Sequence, residues 1–196
     1  GYIMPWNDLA DGAFLSALLQ GEIKVRFSEK PLRFAGKSYD PGSLVITKSD
    51  NRTNQNFTQT VTTLANTHQR SIVAVSSGFS DNGIDFGSTD IKIINKQRIA
   101  ILKGEGVSSL SYGTLWYFME QELKYPFTPL NTGSFNVDQL RNFDVLVMPS
   151  GWYRDLTQGD TMSALKTWVR EGGKIIAMDR ALSAFADQDG FGLKSV

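Results

Sequence analysis

Three short segments of the sequence combine glycines, hydroxyl groups and charges in a pattern that could bind or transform a ligand. They are Gly104-Glu105-Gly106-Val107-Ser108-Ser109, Pro149-Ser150-Gly151-Trp152-Tyr153 and Asp179-Arg180. Each follows an apolar run that is typical of a β-strand. In an open α/β sheet, ligands bind beyond the carboxyl ends of the strands, where the loops converge. The candidate ligand-binding residues are therefore Gly104, Glu105, Gly106, Ser108, Ser150, Gly151 and Arg180.

The first segment places glycines and hydroxyls at the start of a predicted helix, where free backbone N–H groups and the helix dipole attract an anion. It is not a phosphate-binding fingerprint, because it lacks both a third glycine and a Lys-Ser/Thr pair. We expect its glycines and serines to form the turn and cap the helix, and contact with a ligand is the alternative. If the loops bind a ligand, Gly106→Val should impair binding more than folding.

Ser150 follows a predicted strand and precedes Gly151, an arrangement that weakly resembles the nucleophile elbow of a hydrolase. The full Gly-x-Ser-x-Gly pattern is absent, Pro149 precedes the serine, and no histidine is placed to act as its base. A degenerate hydrolase with Ser150, Glu105 or Asp179 in its site is thus the weakest functional hypothesis. For Asp179-Arg180, an ion pair or a loop anchor is the simpler interpretation.

The composition excludes several kinds of chemistry. The chain has no cysteine, so it contains no thiol nucleophile, no disulfide and no thiolate metal site. It has a single histidine, His68, so that histidine-dependent triads and multi-histidine zinc sites are not expected. We predict no catalytic residue, no metal and no cofactor. His68 follows the apolar stripe of a helix, which predicts a packed or capping histidine that favours the helix dipole.

The charge distribution argues against nucleic-acid and membrane partners. Twenty Lys and Arg balance twenty Asp and Glu, and neither half of the chain has an excess of positive charge. Binding to nucleic acid or to an anionic membrane surface requires clustered positive charge. The sequence also lacks a run of about 20 apolar residues, the length that a membrane-spanning helix needs. We therefore predict neither a nucleic-acid partner nor membrane insertion.

Residues 1–95 have the pattern of a small mixed α/β segment. Apolar spacing predicts a helix that starts near Ala10, with Asn7 or Asp8 as N-cap, and ends at Gly21. A second helix contains Phe57 to His68. Short β-rich runs, punctuated by proline and glycine, predict a hairpin-like sheet and a further strand: Ile23–Phe27, Leu32–Ala35, Leu44–Thr47 and Ser71–Ser76. A polar, glycine-rich stretch over residues 77–95 predicts a long connecting loop.

Residues 96–196 have the pattern of an α/β domain with a doubly wound, mostly parallel sheet. Apolar runs predict strands at Arg98–Lys103, Phe127–Leu130, Phe143–Met148 and Lys174–Asp179. Helical stripes that begin near Tyr112 and Met162 lie between them, and the long connections favour parallel strands with right-handed crossovers. Trp116 and Trp168 have the spacing of core residues. Trp6, Trp152 and Tyr153 lie in turns and are candidates for an interface.

Two stretches of the α/β domain resemble a known family. They are Lys103-Gly104-Glu105-Gly106-Val107-Ser108-Ser109 leading to Trp116-Tyr117-Phe118-Met119-Glu120-Gln121-Glu122-Leu123, and Asp144-Val145-Leu146-Val147-Met148-Pro149-Ser150-Gly151 leading to Trp168-Val169-Arg170-Glu171-Gly172-Gly173-Lys174. Together they resemble the class I glutamine amidotransferase-like domain found downstream of the catalytic domain in zinc carboxypeptidase-like proteins of Bacteroidetes-type bacteria. Residues 40–46 and 78–88 resemble the segment that precedes this domain.

The resemblance implies a flavodoxin-like fold within a larger, exported polypeptide, periplasmic or extracellular, whose peptidase domain is the partner. The resemblance does not imply that this chain is catalytic. An amidotransferase needs a cysteine nucleophile with a histidine partner, and a carboxypeptidase of that kind needs a His-x-x-Glu motif and a distant histidine, which this chain lacks. The sheet of the resembling proteins also continues beyond Val196, so the resemblance implies an incomplete domain.

We therefore expect a non-catalytic accessory domain of a larger zinc carboxypeptidase-like protein, with a structural or a substrate- or partner-binding role. The alternative is a free-standing domain that binds a small ligand through the loops at residues 104–109 and 150–153. A His-x-x-Glu motif upstream of Tyr2 would favour the first hypothesis.

Overall fold

The computed structural model describes residues 1–195 and divides into two compact units. The first unit comprises Gly1–Lys96 and Glu122–Tyr125, and the second comprises Gln97–Gln121 and the chain from Pro126 onward. The strands of the first unit pair antiparallel, whereas those of the second pair parallel. The protein is thus a mixed α/β protein.

Short strands and two amphipathic helices build the first unit. Its strands are β1 (Tyr2–Met4), β2 (Val25–Ser28), β3 (Leu32–Phe34), β4 (Lys37–Tyr39), β5 (Leu44–Ile46), β6 (Val73–Ala74), β7 (Asn82–Gly83) and β8 (Ile91–Ile94), and its helices are α1 (Ala10–Gln20) and α2 (Phe57–Thr67). The larger sheet has the order β6-β1-β5-β2-β8. Phe14 and Leu18 of α1 and Val61 of α2 are buried together with Leu44 and Ile46 of the central strand β5. Their burial holds both helices against the sheet.

Two predictions for the first unit are wrong. The β-rich runs do not form one hairpin-like sheet, because β3 pairs with β4 and β7 in a separate sheet of order β4-β3-β7. The loop predicted over residues 77–95 also contains two strands. The longer one, β8, pairs with β2, so that Ile93 lies opposite Arg26 and Ile91 opposite Ser28. Ile91 is buried in the core, which explains why this apolar segment leaves the loop to join a sheet.

A buried carboxylate fixes the start of α1. Asp11 is 3% exposed, and its Oδ2 accepts the backbone N–H groups of Asn7 (2.7 Å) and Asp8 (3.0 Å). The Arg70 guanidinium donates to its other oxygen at 3.1 Å. Burial by itself would raise the pKa of Asp11, but these hydrogen bonds and the Arg70 charge outweigh it and hold the pKa below its ordinary value.

Replacing Asp11 should weaken the first unit in a pH-dependent way. Because the pKa is lower in the folded chain, the carboxylate stabilises the unit above its unfolded pKa of about 3.9. This contribution is lost as the pH falls through the folded pKa. We expect Asp11→Ala to lower the free energy of unfolding by about 2 kcal/mol at pH 7, because charged hydrogen bonds are lost in a buried place. The difference from the native chain should shrink as the pH falls below the unfolded pKa of about 3.9.

Amide hydrogen exchange of α1 measures this stability in the first unit alone. The matched control is Asp8→Ala, because Asp8 also pairs with Arg70 but its side chain is 58% exposed. Asp8→Ala should lower the free energy of unfolding by about 1 kcal/mol, the value of one helix-capping contact. An Asp11→Ala effect that is the same at pH 7 and pH 2 would contradict this role.

The second unit is built on a parallel sheet of order β10-β9-β11-β12. Its elements are β9 (Ile99–Lys103), α3 (Ser109–Tyr117), β10 (Phe127–Asn131), β11 (Val145–Met148), α4 (Gly159–Arg170) and β12 (Lys174–Ala177), with a π-helical turn at Phe118–Glu122 and 3₁₀ turns at Thr132–Ser134, Val137–Asn142, Arg154–Leu156 and Asp179–Ala184. Neighbouring strands pair parallel throughout. The predicted parallel alignment of these four strands is confirmed.

The two faces of the parallel sheet are covered differently. On one face, Leu102 and Leu146 are buried against Leu140 of the 3₁₀ turn and against Leu165 and Trp168 of α4. The other face carries Ile101, Val147 and Ile176 side by side in adjacent strands. The core position predicted for Trp168 is confirmed.

The core position predicted for Trp116 is wrong. Trp116 is 43% exposed, and none of the α3 residues is buried. Its helix nevertheless contains no charged side chain. The stripe that starts at Tyr112 reaches a buried position only at Met119, beyond the end of α3.

Candidate functional site

The three candidate loops meet at the carboxyl edge of the parallel sheet. Strands β9 and β11 are neighbours, but the chain leaves β9 toward β10 on one side and leaves β11 toward β12 on the other. Such a reversal of direction opens a crevice between the two loops, where ligands of α/β proteins bind. The loop after β9 contains Gly104–Ser108, the loop after β11 contains Pro149–Tyr153, and Asp179 follows β12. We call these three segments the carboxyl-edge loops.

The backbones of the first two loops are joined directly. Val107 and Gly151 form an antiparallel bridge. On its two sides, Ser108 N donates to Ser150 O at 2.8 Å and Trp152 N donates to Gly106 O at 2.9 Å. The loops therefore form a small rigid ladder across the crevice, and their positions are fixed before any ligand arrives.

Ser108 performs the capping role predicted for this region, and Ser111 joins the helix to the second loop. The Ser108 side chain accepts from Ser111 N at the start of α3, and the Ser111 hydroxyl accepts from Ser150 N at 3.0 Å. The helix start is thereby tied to both loops. Glu105 is exposed, and its backbone oxygen accepts from the Thr132 hydroxyl at 2.8 Å.

Close packing explains the glycines of the ladder. Gly106 has φ +79°, a left-handed conformation that side chains rarely adopt, and a Cβ there would lie 2.7 Å from Trp152 O. A Cβ on Gly151 would lie 2.5 Å from Gly106 O. Both distances are shorter than van der Waals contact. The expectation that Gly106→Val impairs binding more than folding is therefore wrong, because the substitution would disrupt the folded structure of the loop.

Ser150 and Asp179 form the closest side-chain contact at this edge. The Ser150 hydroxyl donates to Asp179 Oδ2 at 2.6 Å. This hydrogen bond, the backbone N–H of Arg180 and the Arg180 charge hold the pKa of Asp179 below its ordinary value. Asp179 is accordingly an ionised acceptor near neutral pH and a weak base. An acceptor of this kind orients the serine but does not deprotonate it.

Two exposed side chains lie close together at this edge: Trp152 of the second loop, and Arg180, which directly follows Asp179. Trp152 is 67% exposed, and the Arg180 guanidinium lies 6.0 Å from the centre of its ring. A cleft of about 310 Å³ opens beside Trp152 and is also lined by Thr157, Gln158 and Ser183. An exposed arginine over an aromatic ring offers a cation and an apolar surface to the same ligand or partner.

Tyr153 does not belong to this exposed surface. The interface role predicted for it is wrong, because its ring is buried and its hydroxyl donates to Pro149 O at 2.8 Å. Burial raises the pKa of Tyr153. Trp152 is exposed, whereas the next residue, Tyr153, is buried in the core of the second unit.

The single histidine belongs to the first unit, whereas the carboxyl-edge loops belong to the second. His68 caps the C-terminal end of α2 in the first unit, and its ring packs 6.2 Å from that of Phe14. The predicted packing of the His68 ring is present. The positive charge that would favour the helix dipole is not. Burial and the neighbouring Lys124 and Arg70 charges lower the pKa of His68, so the neutral form dominates at pH 7.

The parts of the chain that the structure describes contain no group of three or more metal-binding side chains. In the same residues, no helix is long and apolar enough to span a membrane.

Comparison with known proteins gives no relative: no protein-family model, no curated protein and no solved structure matches the sequence.

Proposed function

We propose that this chain is a non-catalytic α/β accessory domain of a larger, exported zinc carboxypeptidase-like protein, in which it has a structural or partner-binding role. The proposal includes the finer fold class, a flavodoxin-like, doubly wound domain of the glutamine amidotransferase-like type. The strand order of the parallel sheet supports this class. Numbered along the chain it is 2-1-3-4, which matches the first four strands of the flavodoxin-like order.

One observation carries the non-catalytic part of the proposal. The Ser150 hydroxyl and the Asp179 carboxylate of the carboxyl-edge loops are already bonded to each other. A nucleophilic serine requires a base that can take its proton. Asp179, with its lowered pKa, is poorly suited to that task, and the single histidine of the chain belongs to the first unit. The arrangement is that of a rigid scaffold.

The exposed apolar side chains support a role in contacting a partner. Leu110, Tyr117 and Trp152 are each more than half exposed. Aromatic side chains in such positions contribute disproportionately to the binding energy of protein interfaces. A neighbouring peptidase domain of the same polypeptide is the partner that we propose.

The test uses the parent polypeptide, which should carry a His-x-x-Glu motif and a later histidine upstream of Tyr2. The peptidase domain is produced with and without this chain. We expect it to melt at a lower temperature without the chain, because the partner surface is lost. The purified chain should hydrolyse neither glutamine nor peptide C-termini, since the required nucleophile, base and metal ligands are lacking.

Two results would overturn the proposal. One is turnover by the purified chain that Ser150→Ala abolishes, which would support a degenerate hydrolase. The other is a peptidase domain whose stability and activity do not depend on the chain. Ser163→Ala serves as the matched control for Ser150→Ala, since it also removes one serine hydroxyl but lies in α4, outside the carboxyl-edge loops.

Binding of a small ligand is a second candidate function, and the pairing of Trp152 with Arg180 favours it. Arg180 is exposed, and among the side chains that the structure describes it forms no salt bridge, so its guanidinium can bind a carboxylate. Saturable changes in the NMR signals of Trp152 on addition of a small dicarboxylate would distinguish this candidate from the accessory domain.

A further inference from the structure

A cleft in the first unit combines cationic, hydroxyl and aromatic side chains. Its volume is about 430 Å³, which is within the range typical of small-ligand sites. The lining includes the cations Arg26 and Lys48, the hydroxyl residues Ser76 and Ser77, and Phe86. All five belong to the first unit, whereas the carboxyl-edge loops belong to the second. We call this space the Lys48 cleft.

An arginine of the cleft interrupts an apolar row of the larger sheet. In the register of that sheet, Ile3 of β1, Val45 of β5, Arg26 of β2 and Ile93 of β8 lie side by side. Ile3 and Val45 are fully buried, whereas the Arg26 side chain is 30% exposed. A charged residue among apolar neighbours departs from the local pattern of the sheet. Such departures are typical of functional sites.

The Arg26 charge is balanced by Asp50. Arg26 Nε and Nη2 each donate to one Asp50 oxygen at 2.8 Å, and the Thr47 hydroxyl donates to Asp50 Oδ2 at 2.7 Å. The hydrogen bonds from Arg26 and Thr47 and the Arg26 charge outweigh burial and hold the pKa of Asp50 below its ordinary value. Of the residues that line the cleft in the described chain, Asp50 alone is acidic. The pair therefore forms a fixed and electrically neutral part of the lining.

The charge of Lys48 is not balanced in this way. Lys48 is exposed, and within the described part of the chain it forms no salt bridge. Since Arg26 and Asp50 cancel each other, Lys48 gives the cleft a net positive charge. An ammonium group is a compact charge that binds carboxylates and phosphates alike, without the planar geometry that a guanidinium imposes.

A hydroxyl group and an aromatic ring offer further contacts. The Ser77 hydroxyl accepts from Phe79 N at 3.0 Å, so its own proton can be donated to an oxygen of a ligand. The Phe86 ring packs 4.5 Å from the Phe34 ring, which limits its movement. A Cβ on Gly78 would lie 3.7 Å from Phe86 Cδ2, in van der Waals contact. The glycine therefore leaves this part of the Phe86 ring uncovered.

We propose that the Lys48 cleft binds a small anion that carries an aromatic group, either a carboxylate or a phosphate monoester. The anionic oxygens contact Lys48 and the Ser77 hydroxyl, and the aromatic group packs on Phe86 in an offset or edge-to-face arrangement. This site is separate from Trp152 and Arg180, the candidate for a dicarboxylate. It is also independent of the proposed peptidase partner.

NMR titrations of the isotope-labelled full chain with phenyl phosphate and with benzoate test the proposal. We expect saturable shifts of the Lys48, Ser77 and Phe86 signals and a dissociation constant of about 1 mM, a modest affinity for about ten non-hydrogen atoms. Inorganic phosphate and benzyl alcohol should each bind at least about fivefold more weakly, because each lacks one of the two contacts. The tighter of phenyl phosphate and benzoate identifies the preferred anion.

Two substitutions test the roles of the side chains. Lys48→Glu should abolish binding of both aromatic anions, because it reverses the charge of the cleft, and it should melt as the native chain does, since Lys48 is exposed. The matched control is Lys37→Glu, which makes the same charge change at another exposed lysine of the first unit, in β4, and should bind like the native chain. Ser77→Ala should weaken binding about threefold, the value of one hydrogen bond.

Three results would overturn the proposal. The first is a native chain whose signals do not shift up to about 10 mM of either aromatic anion, ten times the expected dissociation constant. The second is Lys48→Glu that binds as tightly as Lys37→Glu. The third is a set of shifts confined to Trp152 and Arg180, which would instead support the second candidate function.

Discussion

Replacing Gly173 by alanine should destabilise the second unit by about 3 kcal/mol, the upper range for forcing an added methyl into a packed core. A Cβ at this position would lie 2.3 to 2.6 Å from three ring carbons of Trp168. The indole cannot move aside freely, because it is buried and its Nε1 donates to Leu140 O at 3.0 Å. Either the strand start or the tryptophan must shift.

Urea unfolding followed by tryptophan fluorescence measures this effect. Trp116, Trp152 and Trp168 all lie in the second unit, so the signal reports mainly on its unfolding. Gly133→Ala is the control, since a Cβ there would have ordinary contact, at 3.5 Å, with a side-chain atom of Asn131. Its cost should remain within about 0.5 kcal/mol. Equal unfolding midpoints for Gly173→Ala and Gly133→Ala would show that Trp168 repacks without cost.

The parallel sheet could be predicted from the sequence because its signals are local. The strand β11 is a continuous apolar run that is buried throughout, as expected for a strand covered on both faces. The helix that follows β11 has a clear periodic stripe of apolar residues. Parallel pairing then follows from connection length, since a crossover is needed between successive strands.

The first unit was harder to predict because its pairings join distant segments. Strand β1 pairs with both β5 and β6, at residues 40 or more positions away. Nothing in a short β-rich run specifies such a partner. The strand β8 was not predicted for a related reason. Its four residues follow a stretch rich in glycine, serine and aspartate, so the local composition indicates a loop.

The candidate site, too, could be predicted from the sequence only in part. The sequence predicts that the loops after β9, β11 and β12 meet at one edge, because parallel strands end on the same side. It does not reveal that Gly106 and Gly151 come within contact of each other, since this distance depends on tertiary packing. It also treats Trp116 as a core residue, because helical spacing distinguishes faces but cannot tell which face is covered.

Replacing Gly151 by alanine should cost the second unit about 2 to 3 kcal/mol, because the added methyl would be overpacked against rigid backbone. Its Cβ would lie 2.5 Å from Gly106 O and 3.1 Å from Val107 Cα. Backbone atoms cannot rotate away as a flexible side chain can. We expect the ladder to open, with faster hydrogen exchange at Ser108 N and Trp152 N, the two donors that cross it.

Ser150→Ala provides the control for Gly151→Ala at the neighbouring position. It removes only the hydroxyl that donates to Asp179, an exposed hydrogen bond, and should cost at most about 1 kcal/mol. Its hydrogen exchange at Ser108 N should match that of the native chain. If Gly151→Ala is as stable as Ser150→Ala, the two loops are more pliable than their contacts indicate. If Gly151→Ala is less stable by the expected margin, then a loss of binding in a Gly106 or Gly151 variant results from a change in folding. A ligand-binding role is then better tested at Ser150 and Arg180.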